Sequence, residues 1–295
     1  MNYYLILKEI IEIEGQFSMQ SNEIKLTVGI PCFNNERTIA DTITSLKNQT
    51  FKNWTCIISD NSTNDFTKQV VEKTVAGDER FQYVSNNENI GHIRNWNKLL
   101  FMTSTEYFKL LNADDLLFPN SIEIALAAIQ TNSEFVLCTG KRSIINGDGK
   151  ILQKSRGIHV KFDTEFDQRS LLRIFLRKGT NLFGETSFAV YRTDSFKLVG
   201  GYNSRFGFGT DLSSFFDVLD VGKMIYLNET LGAYRVWGGS ASARSTKEER
   251  KELIDFAVWA SKKVEPKISF LDLLLLKFMI PIKSKLRYFV YRFFS

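Results

Sequence analysis

Short, solidly apolar runs alternate with stretches of helical periodicity through the first half of this chain. Leu26–Pro31 reads as a buried strand, and Glu36–Lys47 as a helix with Ile39, Ile43 and Leu46 on one face. Trp54–Ser59 predicts a second strand and Asp65–Val75 a second helix. Phe81–Ser85, Ile93–Met102 and Tyr107–Leu111 continue the series as strand, helix and strand. Such alternation predicts a mostly parallel central sheet flanked by helices, an α/β fold. Ligands of these sheets gather beyond the carboxyl ends of the strands, where Pro31, Asp60 and Asn112 all fall.

After Pro119 the pattern predicts a helix to about Thr131, a strand at Phe135–Thr139 and a hairpin turn at Asn146-Gly147-Asp148-Gly149. A helix at Gln168–Arg177 and strands at Ser187–Tyr191, Lys223–Leu227 and Gly232–Val236 follow. Helices at Thr246–Lys262 and about Ile268–Met279 then lead to Pro281 and a basic, aromatic end. At the other end, Ile6, Ile10, Ile13 and Phe17 recur at helical spacing and predict a short amphipathic helix. Glu9, Glu12 and Glu14 interrupt that apolar run, which is unlike a signal peptide. No charge-free run of ~18 apolar residues occurs, so no membrane-spanning helix is predicted. The predicted divisions are an N-terminal extension at 1–23, a main domain at 24–242 and a helical C-terminal region at 243–295.

With 295 residues, 43% of them hydrophobic, the chain has the composition of an ordinary globular protein. A net charge of +5 is too mild to indicate a nucleic-acid partner. The charge is unevenly placed: from Lys267 onward, Lys267, Lys277, Lys283, Lys285, Arg287 and Arg292 face the single acid Asp272. Cys32, Cys56 and Cys138 sit in or beside apolar runs, the pattern of reduced core thiols in a cytosolic protein.

The chemistry concentrates where strands end. Asn112-Ala113-Asp114-Asp115 follows the apolar strand Tyr107–Leu111, and adjacent carboxylates suit a hard divalent cation such as Mg²⁺ or Mn²⁺. An acidic loop before a helix is the alternative reading of the same residues. Pro31-Cys32-Phe33-Asn34-Asn35-Glu36 is no glycine-rich phosphate loop, and no Walker-type lysine occurs. A nucleotide bound there needs its phosphates neutralised by metal and side chains. Asp60 can accept from the imino N–H of a pyrimidine or act as a turn residue. Arg94, on the first turn of a helix, can reach a base or diphosphate with its planar fork or stay solvated.

Taken in order and spacing, Val28–Glu36, Ile58–Asp65, Asn89-Ile90-Gly91 with Arg94-Asn95, and Leu111–Asp115 resemble family 2 glycosyltransferases of the GT-A fold. Gly184–Ser187 with Tyr191-Arg192, Gly200–Asn203 with Thr210-Asp211, and Leu231–Val236 extend the likeness over about residues 24–242. The resemblance implies an inverting transfer from a nucleotide-diphosphate sugar, a UDP-sugar by expectation, to a glycan or lipid-linked glycan of surface polysaccharide or lipopolysaccharide. It gives Asp60 the base-reading role, with Pro31, Phe33 and Glu36 around the nucleoside and Arg94 assisting. It makes Asp114 the ligand of Mn²⁺ or Mg²⁺, Asp115 its neighbour near the donor, and Asp211 the catalytic base.

Three positions depart from the family pattern. Asn112 replaces the first acid of an Asp-x-Asp, Thr210 replaces the acid before the base, and Trp237 replaces a histidine that can complete the metal shell. Indole cannot ligate a metal, so water is expected to fill that position. Asn112 and Trp237 also support a rival, a non-catalytic nucleotide-sugar-binding or scaffold protein. In the tail, Leu286, Phe289, Val290 and Phe293 form an apolar stripe beside Lys285, Arg287 and Arg292. It predicts peripheral contact with the inner face of the cell membrane, with packing on the domain as the alternative.

Overall fold

The structure, a computed structural model, describes residues 25–237 and 247–294; the side chains of Lys247, Phe270, Ser284 and everything from Leu286 onward fall outside the description. The predicted N-terminal helix and the apolar stripe of the tail therefore lie outside the described residues. Strands β1 (Leu26–Cys32), β2 (Trp54–Asp60), β3 (Phe81–Ser85) and β4 (Tyr107–Leu110) pair in parallel in the order β3-β2-β1-β4. The chain steps outward from β1 to β3 and then returns to the opposite side of β1. That reversal creates a topological switch point between β1 and β4, where α/β sheets open a crevice.

Helices α1 (Ile39–Lys47), α2 (Phe66–Val75) and α3 (His92–Met102) connect these strands. The apolar face of α1 buries Ile39, Ile43 and Leu46 with Leu26, Val28 and Ile30 of β1 in one core. On the other face, α3 presses so closely on β1 that a Cβ at Gly29 would lie 2.9 Å from Leu99 Cβ. Any side chain there would push α3, and the polar groups it carries, away from the sheet.

Beyond β4 the sheet becomes mixed. β5 (Leu116–Leu117), α4 (Ser121–Gln130), β6 (Phe135–Ile145), β7 (Ile151–Arg156), β8 (Thr164–Phe166) and α5 (Gln168–Lys178) lead to β9 (Val190–Arg192). β9 runs antiparallel between β4 and β6. Three expectations need correction. Ser187–Tyr191 is not one strand: Thr186–Phe188 forms a 3-10 turn that precedes β9. The two strands expected within 223–236 are a single bent strand, β10 (Lys223–Arg235), whose register against β6 shifts between Leu227 and Ala233. Its neighbour β6 is likewise longer than read, because both strands are buried on two faces and their pattern loses its alternation.

After the short α6 (Thr193–Leu198) and α7 (Thr210–Val218), the described residues resume with α8 (Lys247–Ser261) and α9 (Phe270–Phe294). α9 does not stop before Pro281 but runs through it. Proline removes one helical hydrogen bond, yet here Leu276 and Ile280 anchor the turn in the core. Phe256, Ala257 and Ala260 of α8 join that core with Phe175 of α5 and Phe216 of α7. The C-terminal helices thus complete the apolar interior of the second half.

Candidate active site

The acidic loop after β4 is fixed by its own backbone and by two neighbours. Asp115 N–H closes a tight turn by donating to Asn112 O at 3.1 Å. From the N-cap and first turn of α1, Thr38 Oγ1 donates to Ala113 O at 2.8 Å and Thr42 Oγ1 to Asp115 O at 2.9 Å. Asp115 itself points inward: Oδ1 accepts from the Arg235 backbone N–H at 3.0 Å and Oδ2 from Ser187 Oγ. Arg235 also donates to Asp114 O and Gly147 O and pairs with Asp41 at 3.1 Å. A Cβ at Gly232 would meet Leu116 O at 2.1 Å, so glycine lets β10 bring Arg235 to the loop.

This arrangement separates the two carboxylates. Asp114 lines a cleft of about 550 Å³, whereas Asp115 is buried behind it as a hydrogen-bonding post. Burial raises both pKa values, and for Asp115 the neighbouring Asp114 charge adds to the rise. Trp237 Nε1 donates to Asp114 Oδ2 at 3.3 Å and favours its ionised form.

The cleft opens at the switch point, between the ends of β1 and β4 and the first turns of α3 and α7. Pro31, Phe33, Asn112, Asp114 and Asp211 all line it. Phe33 is 48% exposed, which makes it an apolar ring available to a ligand at the mouth. Asp60 is set behind the wall rather than on it. Its Oδ1 accepts from the Ser62 backbone and hydroxyl, and its Oδ2 accepts from Tyr83 Oη at 2.7 Å. Glu36 also lies off the cleft lining, and its Oε2 is buried with no hydrogen-bond partner among the described residues.

Arg94 is not among the residues that line the cleft. His92, Asn95 and Trp96 line the cleft at i, i+3 and i+4 of α3. That spacing turns Arg94 to the exposed side. The sequence reading also passed over an amide network at this wall. Asn95 Nδ2 donates to Ser59 O, Ser59 Oγ donates to Asn95 Oδ1, and Asn86 Nδ2 donates to Asn61 Oδ1 at 2.7 Å. Asparagines just beyond β2 and β3 were the available signal, since buried amides there need partners.

Asp211 sits on the first turn of α7, partly buried at the cleft wall. Its Oδ1 accepts from Thr186 N–H at 3.2 Å. Burial pushes its pKa up to about 7, and the Glu185 carboxylate adds to the rise, while Thr186 N–H and Arg142 oppose it. Glu185 lines the cleft too, held by Arg142 through a 2.7 Å ion pair. Tyr202 Oη lies 2.6 Å from Thr186 Oγ1, tying this turn to the aromatic floor formed with Trp96. A carboxyl group that titrates near neutrality in a cleft is suited to proton transfer.

Fold and cleft together define an α/β protein of the GT-A type, with a carboxylate-lined crevice at its switch point. The profile of Glycosyl transferase family 2 matches residues 27–200, and the chain belongs to that family. The GalNAc(5)-diNAcBac-PP-undecaprenol beta-1,3-glucosyltransferase of Campylobacter jejuni is 29% identical over 149 residues, 50% of this chain and 47% of that protein. Matches span half or less of the length of the first curated relatives, 47%, 44% and 33%. Among solved structures, S. aureus TarS in complex with UDP-GlcNAc superposes with a TM-score of 0.62 at 16% identity, covering 90% of this chain and 73% of that one. The Pyrobaculum calidifontis mannosyltransferase PcManGT, in complex with GDP-Man and Mn²⁺, gives 0.63 at 13% identity, covering 92% and 73%. At these identities the structures bear on fold alone.

Proposed function

We propose that the chain is an inverting glycosyltransferase that moves a sugar from a UDP-sugar to a glycan or lipid-linked glycan acceptor in bacterial surface-polysaccharide assembly. The observation that carries this reading is the placement of Asp114 and Asp211 on one cleft. In the proposed reaction Asp211 accepts the proton of the acceptor hydroxyl. The hydroxyl oxygen bonds to the anomeric carbon as the bond to the diphosphate oxygen breaks on the opposite face. Glu185, pinned by Arg142, keeps the Asp211 carboxylate basic enough for this role.

On the donor side, Phe33 and Pro31 offer an apolar platform for the nucleoside. Glu36 would stand behind this platform, its buried Oε2 having no hydrogen-bond partner among the described residues. Asp60 would orient the base through the β2 end that it braces, and Arg94 would act only from the rim.

A hard divalent cation, Mn²⁺ or Mg²⁺, fits this donor set. Among the described residues no group of three His, Cys, Asp or Glu can hold a metal, so Asp114 would serve as the protein carboxylate, with Asn112 beside it. Sites with one carboxylate, completed by substrate phosphates and water, are usual for Mg²⁺. When bound, the cation supplies charge neutralisation for the departing diphosphate.

No helix among the described residues is long and apolar enough to cross a membrane. We place the reaction at the cytoplasmic face, with the main domain at 24–242 carrying the chemistry. The non-catalytic alternative rests on Asn112 and Trp237; a carboxyl group titrating near 7 opposite Asp114 favours the enzyme. The test is thermal denaturation with UDP-, GDP- and dTDP-sugars and Mn²⁺. UDP-sugars should raise the melting temperature most, since stabilisation follows occupancy. Equal, negligible shifts for all three would reject the donor assignment.

A further inference from the structure

We propose that Lys109, buried in β4, is a positioning residue that holds the 3-10 turn at Thr186–Phe188 against the acidic loop and so sets Asp211 relative to Asp114. The catalytic part of this role rests on the transferase reading, whereas the tie itself does not. Lys109 is 1% exposed and shares the α1 side of the sheet with Tyr107, since side chains alternate along a strand. Tyr107 belongs to the same apolar core as Cys138 of β6, Phe188 and Val190 of β9. Taking an ammonium group into such surroundings is costly: burial pushes the Lys109 pKa down to about 7, with Cys138 and Asp115 opposing the fall. A methionine or leucine would fill the same space without that cost. What lysine adds is an N–H donor at the end of a four-carbon stem, in the amine as in the ammonium form.

The donor has a definite target. Lys109 Nζ donates to Ala189 O at 3.3 Å. Ala189 is also where the 3-10 turn closes, its N–H donating to Thr186 O at 3.0 Å. The β4–β9 ladder pairs Tyr107 with Arg192 and Phe108 with Tyr191 and stops there. Lys109 carries the tie between the two segments past that end, by side chain where the backbone has turned away.

The turn touches both walls of the cleft. Ser187 Oγ accepts from Asn112 N–H at 3.1 Å and donates to Asp115, which fixes the turn to the loop that carries Asp114. One residue earlier, Thr186 N–H donates to Asp211 Oδ1 at 3.2 Å and Thr186 Oγ1 meets Tyr202 Oη. Asn112 lies three residues on from Lys109, so the β4 segment grips the turn at Ala189 and again at Ser187. Two grips fix an orientation, because a segment held at one point can still rotate about it. Without the Lys109 donor the turn can pivot on Ser187 and carry Thr186 N–H away from Asp211. That N–H favours the ionised carboxyl, so its loss would keep Asp211 protonated to higher pH.

The test compares the full chain with Lys109→Met, whose side chain nearly keeps the length of lysine and lacks the N–H. Replacing a buried charge by an apolar side chain is often neutral for stability, so the melting temperature should fall by no more than about 4 °C. Amide hydrogen exchange at Thr186 and Ala189, followed by NMR, should quicken by about tenfold or more while the β2 amides keep their wild-type rates. The side-chain carboxyl resonance of Asp211 in ¹³C-labelled protein, assigned by its loss in Asp211→Asn, should titrate at a pH higher than in the wild type by about 0.5 or more. Unchanged exchange at the turn, or an unchanged Asp211 midpoint, would overturn the proposal. A general loss of protection with a much lower melting temperature would make Lys109 a purely structural residue and overturn it too. On the wild-type chain alone, one lysine ¹⁵Nζ resonance should titrate near 7; absence of any such resonance would take this side chain out of the core and remove the tie. None of these readouts uses a donor sugar, so their failure counts against Lys109 and leaves the transferase reading to its own thermal test.

Discussion

On the β1–β4 side of the cleft, Asp60 accepts three hydrogen bonds and the asparagines behind it bond to one another. Across the cleft, Asp211 accepts one backbone N–H and shares its surroundings with Tyr191 and Tyr202. The difference teaches how one fold prepares two kinds of carboxylate. Dense hydrogen bonding satisfies and immobilises a charge, so the first wall is a rigid frame for a polar ligand. An apolar, aromatic setting withholds solvation, so the second wall lifts a carboxyl pKa towards neutrality and makes it a usable base.

The sharpest way to break this contrast is Asp211→Asn. It should reduce transfer by ~10²–10⁴-fold, the range for loss of a general base, with UDP binding nearly intact. Parallel loss of transfer and UDP affinity in a titration would show that both walls serve the donor. Next in size is Asp115→Ala, which removes the acceptor of Arg235 N–H and Ser187 Oγ at a buried site. Leaving those donors unpaired should cost about 2–4 kcal/mol of stability in urea unfolding. A change below 1 kcal/mol, of the size expected at a surface, would mean that the loop is held from elsewhere.

A third test concerns pH. Asp211 binds its proton more tightly folded, at about 7, than at its ordinary value of 3.8. Its contribution to stability is therefore greatest at low pH and declines as pH rises from about 4 to about 7, by at most ~1.4 kcal/mol per unit. Asp211→Asn should flatten that part of the stability–pH curve. The transfer rate should instead rise through pH 7 as the base ionises. A wild-type and variant pair with the same pH slope of stability would remove the account of the second wall.

Much of the first wall was legible in the sequence, because each of its parts is local. Asp60 closes β2 and the Asn112–Asp115 loop follows β4 within two residues, so both announce themselves at strand ends. What the sequence hid was orientation. Nothing local distinguishes Asp114 from Asp115; Arg235, 120 residues away in the chain, decides which one faces inward. Whether Arg94 meets the cleft or solvent is likewise not local information, because one residue along a helix is a turn of about 100°. The second wall was harder to read, since the 3-10 turn at Thr186–Phe188 and the bend in β10 are imposed by packing against β6 and α7, not by propensity. In the sequence Trp237 stands only as a residue that cannot ligate a metal, and its bond to Asp114 emerges when the end of β10 meets the acidic loop.

The measurement closest to the central claim is calorimetric titration of UDP, with and without Mn²⁺, on the wild-type chain and Asp114→Asn. If one carboxylate on this cleft helps to hold the diphosphate through a cation, wild-type affinity will rise with Mn²⁺ by about tenfold or more, and the variant will lose that increment while keeping its melting temperature. Identical affinities for the two proteins in the presence of Mn²⁺ would contradict the account.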